Sequence, residues 1–308
     1  MRSFYFIFLI ALFLGCSTEE KETTTKGRLH VFIPESIAPV MIDEVKEFLR
    51  LYQANGASIT DTVVPAEIAA RRFIRDTARI AFLPRPLTQA EKEQVKIFSP
   101  DLNEVIVAYD GIVAVVHQKN RTMEMTTTEI QKILSGTTTR WEQFAQAAKG
   151  TIHIYCQDSS DVTEYLQQRL LKQACISAKF TRTSSDIQTL RSVEKDPLAL
   201  GFTALGWIDD SARSEVKILS LGRTKEDTDT TFAPPAETAG NFFSPHPANI
   251  YRNYYPLKRA IYMYTRGQIN LAVGFGTYVA AAEGQKLFAQ CGLLPARLRI
   301  KLKSTQPE

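Results

Sequence analysis

The chain has 308 residues, 44% of them hydrophobic, which is ample for a core and at this length commonly means two lobes. Its 37 Lys and Arg against 33 Asp and Glu leave a formal charge of +4 spread along the sequence, compatible with small anions but without the basic signature of a nucleic-acid binder. The four histidines stand at no metal-ligand spacing, and there is no CxxC, GxSxG or nucleotide-binding glycine loop, so no metal, cofactor or catalysis is expected.

In chain order, the first fifteen residues, MRSFYFIFLIALFLG, set Arg2 before an almost unbroken apolar run. That run is too short for a permanent membrane span and suits a secretory signal. It ends at Leu14-Gly15-Cys16, which resembles a bacterial lipoprotein signal with Cys16 as the lipidated first residue of the mature chain. Phe13 departs from the small aliphatic residue usual at its position. Residues 16–27 carry no aliphatic side chain, and a flexible tether is expected there. Which membrane holds the anchor is left open.

LHVFI (29–33) reads as a strand, followed through Pro34-Glu35-Ser36 by an amphipathic helix over 39–53. ASITDTVV (57–64) is a second strand, PAEIAARRFIRD a second helix with Pro at its first turn, RIAFLP (79–84) a third strand and TQAEKEQVK a third helix. EVIVAYDGIVAVVHQ (104–118) is a long β stretch with a break expected at Asp110-Gly111, and TTTEIQKILSG (126–136) a capped helix. The strand TIHIYC, a helix from Asp161, another βα pair in AKFTRTSSDIQTLRSVEKDP and the apolar LALGFTALGWI (198–208) follow. Cys156, Cys175 and Cys291 read as small core hydrophobes; the first two, at opposite ends of a helix of about a dozen residues, lie roughly 18 Å apart, beyond disulfide reach.

Strand–helix alternation points to α/β lobes with mainly parallel sheets, which bind ligands at the carboxyl ends of their strands. Three loops stand at such ends: Pro34-Glu35-Ser36, Pro84-Arg85-Pro86 and Asp158 to Thr163. In the last, Ser159, Ser160, Asp161 and Thr163 crowd a helix start, whose unpaired N–H groups either a cap or a bound anion can satisfy. Arg85 offers a rigid fork that matches an oxyanion. Arg71, Arg72 and Arg75 read as a solvated helix face, and Tyr251, Tyr254, Tyr255, Tyr262 and Tyr264 as core and rim packing.

Six stretches in order, AFLPRPLTQAEKE, VAYDGIVAVVHQ, TTTEIQKILSGTTTRWEQF, DPLALGFTALGWI, YYPLKRAIYMYT and AAAEGQKLFAQCGLLPA, resemble the phosphate-binding subunits of Pst-type ABC transporters, type II periplasmic binding proteins. The match covers nearly all of 29–297, and PESIAPVMIDEVKEFLRLY looks like a lipoprotein branch of that family. The resemblance implies two α/β lobes joined by two crossing strands: 28–109 with 207–302 as one lobe, 110–206 as the other, and a tail over 303–308. It implies capture of phosphate or a related oxyanion for an ABC permease by a monomer held in the cell envelope through its lipid anchor. Ser36, Arg85, Asp110, Ser159, Ser160 and Thr163 are the implied ligand-binding residues.

Departures from the family pattern lie in the anion loops. The second helix opens on Val64-Pro65-Ala66-Glu67 without glycine or hydroxyl, and a Gly-Ser-Gly-Thr helix start becomes Ser160-Asp161-Val162-Thr163, with Gln157 replacing an Arg. An acid there either caps the helix and points away or accepts a proton from the anion; N-cap preference favours the cap, leaving the hydroxyls to face the cleft. The alternative function is a binding-protein fold that has lost its transport ligand and serves as an interaction or sensor module at the envelope.

Overall fold

Leu29, Val31 and Ile33 are buried while His30 and Phe32 between them face the other way, the two-residue period that makes β1 (Gly27–Pro34) a strand. The computed structural model describes residues 21–297 apart from 145–148, 173–174, 209–214, 228 and 268. The signal, Cys16 and the tail over 303–308 therefore lie outside the described residues.

A 3-10 turn, Glu35–Ile37, leads from β1 into α1 (Ala38–Tyr52). Then come β2 (Ala57–Val64), α2 (Ala66–Ile74), β3 (Ile80–Leu83), α3 (Gln89–Phe98) and β4 (Asn103–His117). The middle of the chain supplies β5 (Glu124–Thr126), α4 (Thr127–Leu134), β6 (His153–Gln157), α5 (Asp161–Leu170), β7 (Phe180–Thr183), α6 (Asp186–Lys195) and β8 (Ala199–Ala204). After these run β9 (Val216–Ile218), β10 (Ser220–Gly222), α7 (Pro235–Thr238), β11 (Phe242–Phe243) and α8 (Pro247–Tyr251). The chain closes with β12 (Lys258–Thr265), α9 (Leu271–Ala280), α10 (Ala282–Gln290) and β13 (Leu294–Pro295). Thr88 and Thr126 start α3 and α4 with full capping boxes, each paired to the Glu three residues on.

The two lobes share one long strand. β4 runs without the break expected at Asp110-Gly111: residues up to Gly111 pair with β12, and Ile112–Val116 pair with β8. The sheet order along this path is β3-β12-β4-β8-β6-β7. β1 and β2 form a separate parallel pair, and β10 lies between β11 and β5. The sheets are mixed rather than mainly parallel, because β12 is antiparallel to β3 and β4, and β4 is antiparallel to β8 and β9. Within the stretch expected to complete the first lobe, β9 and β10 pair instead with the far half of β4 and with β5.

Two further expectations change. Part of the stretch read as a tether is packed: Thr23 bridges to Lys26, and Glu22 takes Arg79 at 2.6 Å and the Leu271 N–H at 3.2 Å. Gly274 on α9 makes this possible, since a Cβ there would fall on the backbone of Thr24. Cys156 is buried as expected, but Cys175 is exposed and Cys291 only half-buried, so the three do not share a core role.

Candidate functional site

Three helical starts meet where the lobes face each other. The turn after β1 brings Glu35 and Ser36; α5 and α6 bring Asp161 and Asp186 as their first residues. Each of these two helices is capped by the serine before it: Ser160 Oγ accepts the Thr163 N–H and Ser185 Oγ accepts the Gln188 N–H, both at 3.2 Å. The expectation that Asp161 is the cap, pointing away, is therefore overturned. Its carboxylate is free of that duty and turns inward.

Asp161 Oδ2 accepts two hydrogen bonds, from Ser36 Oγ at 2.5 Å and from Arg259 Nη1 at 2.5 Å. Arg259 also donates from Nε (3.0 Å) and Nη2 (2.8 Å) to Asp110 Oδ2, while Asp110 Oδ1 accepts the Gly111 N–H at 2.7 Å. Beside this chain, the Asp186 N–H donates to Glu35 Oε1 at 2.9 Å and Trp207 Nε1 donates to the Glu35 carbonyl at 3.0 Å. Ser36, Asp110, Asp186 and Arg259 are all buried. A buried charge needs a partner, and Arg259 has two.

One guanidinium thus pairs with Asp110 and Asp161 and acts on Asp186 through its field, while Glu35 lies beside Asp161 and Asp186. Burial, with the fields of Asp161 and Glu35, pushes the Asp186 carboxyl well above the usual carboxylate range. Neither of its oxygens has a hydrogen-bond partner among the described residues. Burial likewise raises Glu35 and outweighs Arg259 at Asp110, which is also raised. Burial thus shifts Asp186, Glu35 and Asp110 toward their neutral forms. Among the described residues no group of three or more His, Cys, Asp or Glu side chains is arranged to hold a metal ion.

The six residues implied by the sequence are not gathered at one point. Ser36 and Asp110 are linked through Asp161 and Arg259. Ser160 and Thr163 form the floor of the α5 start; the Thr163 hydroxyl donates to the Gln157 carbonyl and lies 3.0 Å from Cys156 Sγ. Ser159 is exposed, in the turn before the helix, with a positive φ of 53°. Arg85 turns its fork onto Glu91, with both bonds at 2.8 Å, and reaches the α5 side only as a charge near Glu164. Arg259, Glu35 and Asp186 were missed as site residues. For Arg259 a signal existed: along β12 it shares a face with Ile261 and Met263, all buried, and a cation in a buried register calls for an acidic partner.

The PBP superfamily domain matches residues 18–283. The chain belongs to the PBP superfamily. Its PBP fold is that of Pst-type phosphate-binding proteins. A Clostridium perfringens protein, described as a phosphate ABC transporter substrate-binding protein and solved with bound phosphate, superposes with a TM-score of 0.70 at 18% identity, over 88% of this chain and 100% of that one. An ABC-type phosphate transport receptor from Vibrio cholerae superposes with a TM-score of 0.63 at 18% identity, over 86% and 99% of the two chains. In sequence, the phosphate-binding protein PstS of Borreliella burgdorferi is 19% identical over 94% of this chain and 96% of its own. Protein SphX of Synechococcus elongatus is 21% identical over 77% and 68%. Among the described residues no helix is long and apolar enough to cross a membrane.

Proposed function

We propose that this PBP-superfamily chain is an extracytoplasmic solute receptor, anchored by a lipid on Cys16, that captures phosphate or a related tetrahedral oxyanion between its lobes and delivers it, as a monomer, to an ABC permease. One observation carries the reading: Ser36 and Arg259, from separate elements, both donate to a single oxygen at the lobe boundary. A hydroxyl and a guanidinium converging on one oxygen atom is a donor set for an oxyanion. The phosphate named for its relatives supports the same class of ligand.

Relatives named for phosphate binding and transport support the receptor reading, which assigns no catalysis to these residues. A second reading, a binding-protein fold without a transport ligand that serves as an envelope interaction or sensor module, is favoured by one feature. The oxygen at the seat belongs to the protein's own Asp161. Calorimetric titration of inorganic phosphate, then sulfate, into the chain starting at Ser17 separates the two. Saturable binding tighter than ~1 mM, weakened at least ~100-fold by Arg259→Met, supports the receptor. No heat from either anion at millimolar concentration, with folded protein, overturns it in favour of the second reading.

A further inference from the structure

Asp161 lies across the lobe boundary from the groups that bond it. The carboxylate comes from α5, Ser36 from the turn after β1, and Arg259 from β12, which pairs with the near half of β4. Ser160 already caps α5, so the helix start has no use for a second acceptor. With Nε and Nη2 on Asp110 and Nη1 on Asp161, three of the five guanidinium N–H donors are committed to the protein's own carboxylates.

We propose that the Asp161 carboxylate is a resident occupant of the oxyanion seat, fastening the lobes in the absence of solute and setting the specificity of the cleft. This rests on the receptor reading above. Capture is then an exchange: the incoming oxyanion takes over the bonds from Ser36 and Arg259, and Asp161 swings out of the seat. An anion that cannot satisfy both donors at once does not displace it. The acid therefore raises the threshold for weak or singly coordinating anions more than for a tetrahedral oxyanion that presents several oxygens.

The test compares the wild-type chain from Ser17 with Asp161→Ser and Asp161→Asn, by calorimetry with inorganic phosphate and by small-angle scattering without it. The serine variant is expected to bind phosphate at least ~100-fold tighter than wild type, because it removes both a competitor and a like charge. Its ligand-free radius of gyration should exceed that of the wild type, whose lobes are fastened. The asparagine variant, nearly isosteric, should fall between and guards against a folding defect in the serine one. If phosphate binds wild type and both variants equally, the proposal fails while the receptor reading stands. If phosphate binds none of them, the receptor reading fails, and scattering alone decides the fastening: equal radii overturn it, and an expanded variant upholds it.

Discussion

Glu44 lies on the inward face of α1 with no exposed surface, and neither of its carboxyl oxygens has a hydrogen-bond partner among the described residues. Burial, reinforced by the neighbouring charge of Asp43, pushes its carboxyl up to about 8. Its proximity adds to the burial that lifts the Cys291 thiol to about 11. Between the ordinary value of 4.5 and about 8 the folded chain binds a proton that the unfolded chain has released. Stability from this residue is therefore present at low pH and lost as pH rises through that window. Glu44→Gln should match wild type near pH 4 and exceed it above pH 8 by a few kcal/mol, at roughly 1.4 kcal/mol per pKa unit. Urea denaturation across that range reads the difference; parallel curves for the two proteins would refute it. At this scale the sequence was least informative. Glu44 sits in a helix rich in charge, and nothing local separates it from the exposed Asp43 and the half-buried Glu47 except its place in the 3.6-residue period. Asp161 misled for a related reason: two candidate caps stand side by side, and only the dihedrals of Ser160 decide between them.

Elements were far more legible than side chains. The second strand was read as ASITDTVV, and β2 spans the same Ala57–Val64; α1, α3 and α6 also stand close to where their periodicity and caps place them. What periodicity could not convey was pairing. Strand direction depends on which element lies alongside, so the antiparallel β12 between β3 and β4 was invisible locally. Gly201 shows how packing between elements reaches the site. On β8 it lies under α6, and a Cβ there would come within 2.5 Å of Val193 Cγ2 and 3.1 Å of Thr189 Cγ2. Gly201→Ala should lift α6 from the sheet, costing about 1–3 kcal/mol by denaturant midpoint. Because Asp186 is the first residue of that helix, the bond from its N–H to Glu35 should weaken too, and an unchanged midpoint would sink the idea.

At the scale of the whole molecule, β4 joins the lobes at Asp110 and Gly111, where the pairing partner changes and where Asp110 holds Arg259. A solute that engages Arg259 acts beside the pivot, where a small displacement is amplified at the lobe tips. The two-lobed plan was legible from strand–helix alternation together with the six stretches in family order, whereas the antiparallel use of β4 by both lobes was not. The proposed attachment to the membrane is tested on the whole chain as well. Replacement of Cys16 by Ala should release the protein from the membrane fraction without altering phosphate titration of the shed chain; retention in membranes would remove the lipid from the account.

Under the anchoring proposed above, the packing of Glu22 against Arg79 and α9 would limit how far the folded chain can stand from a bilayer. With the lipid on Cys16, only the six steps from Cys16 to Glu22 remain as a leash, about 20 Å at full extension. Under the proposed anchoring, a chain on so short a leash would not roam the periplasm in search of a permease. It would meet a transporter by moving in the plane of the membrane, with the β1–β2 side of the molecule kept close to the lipid surface.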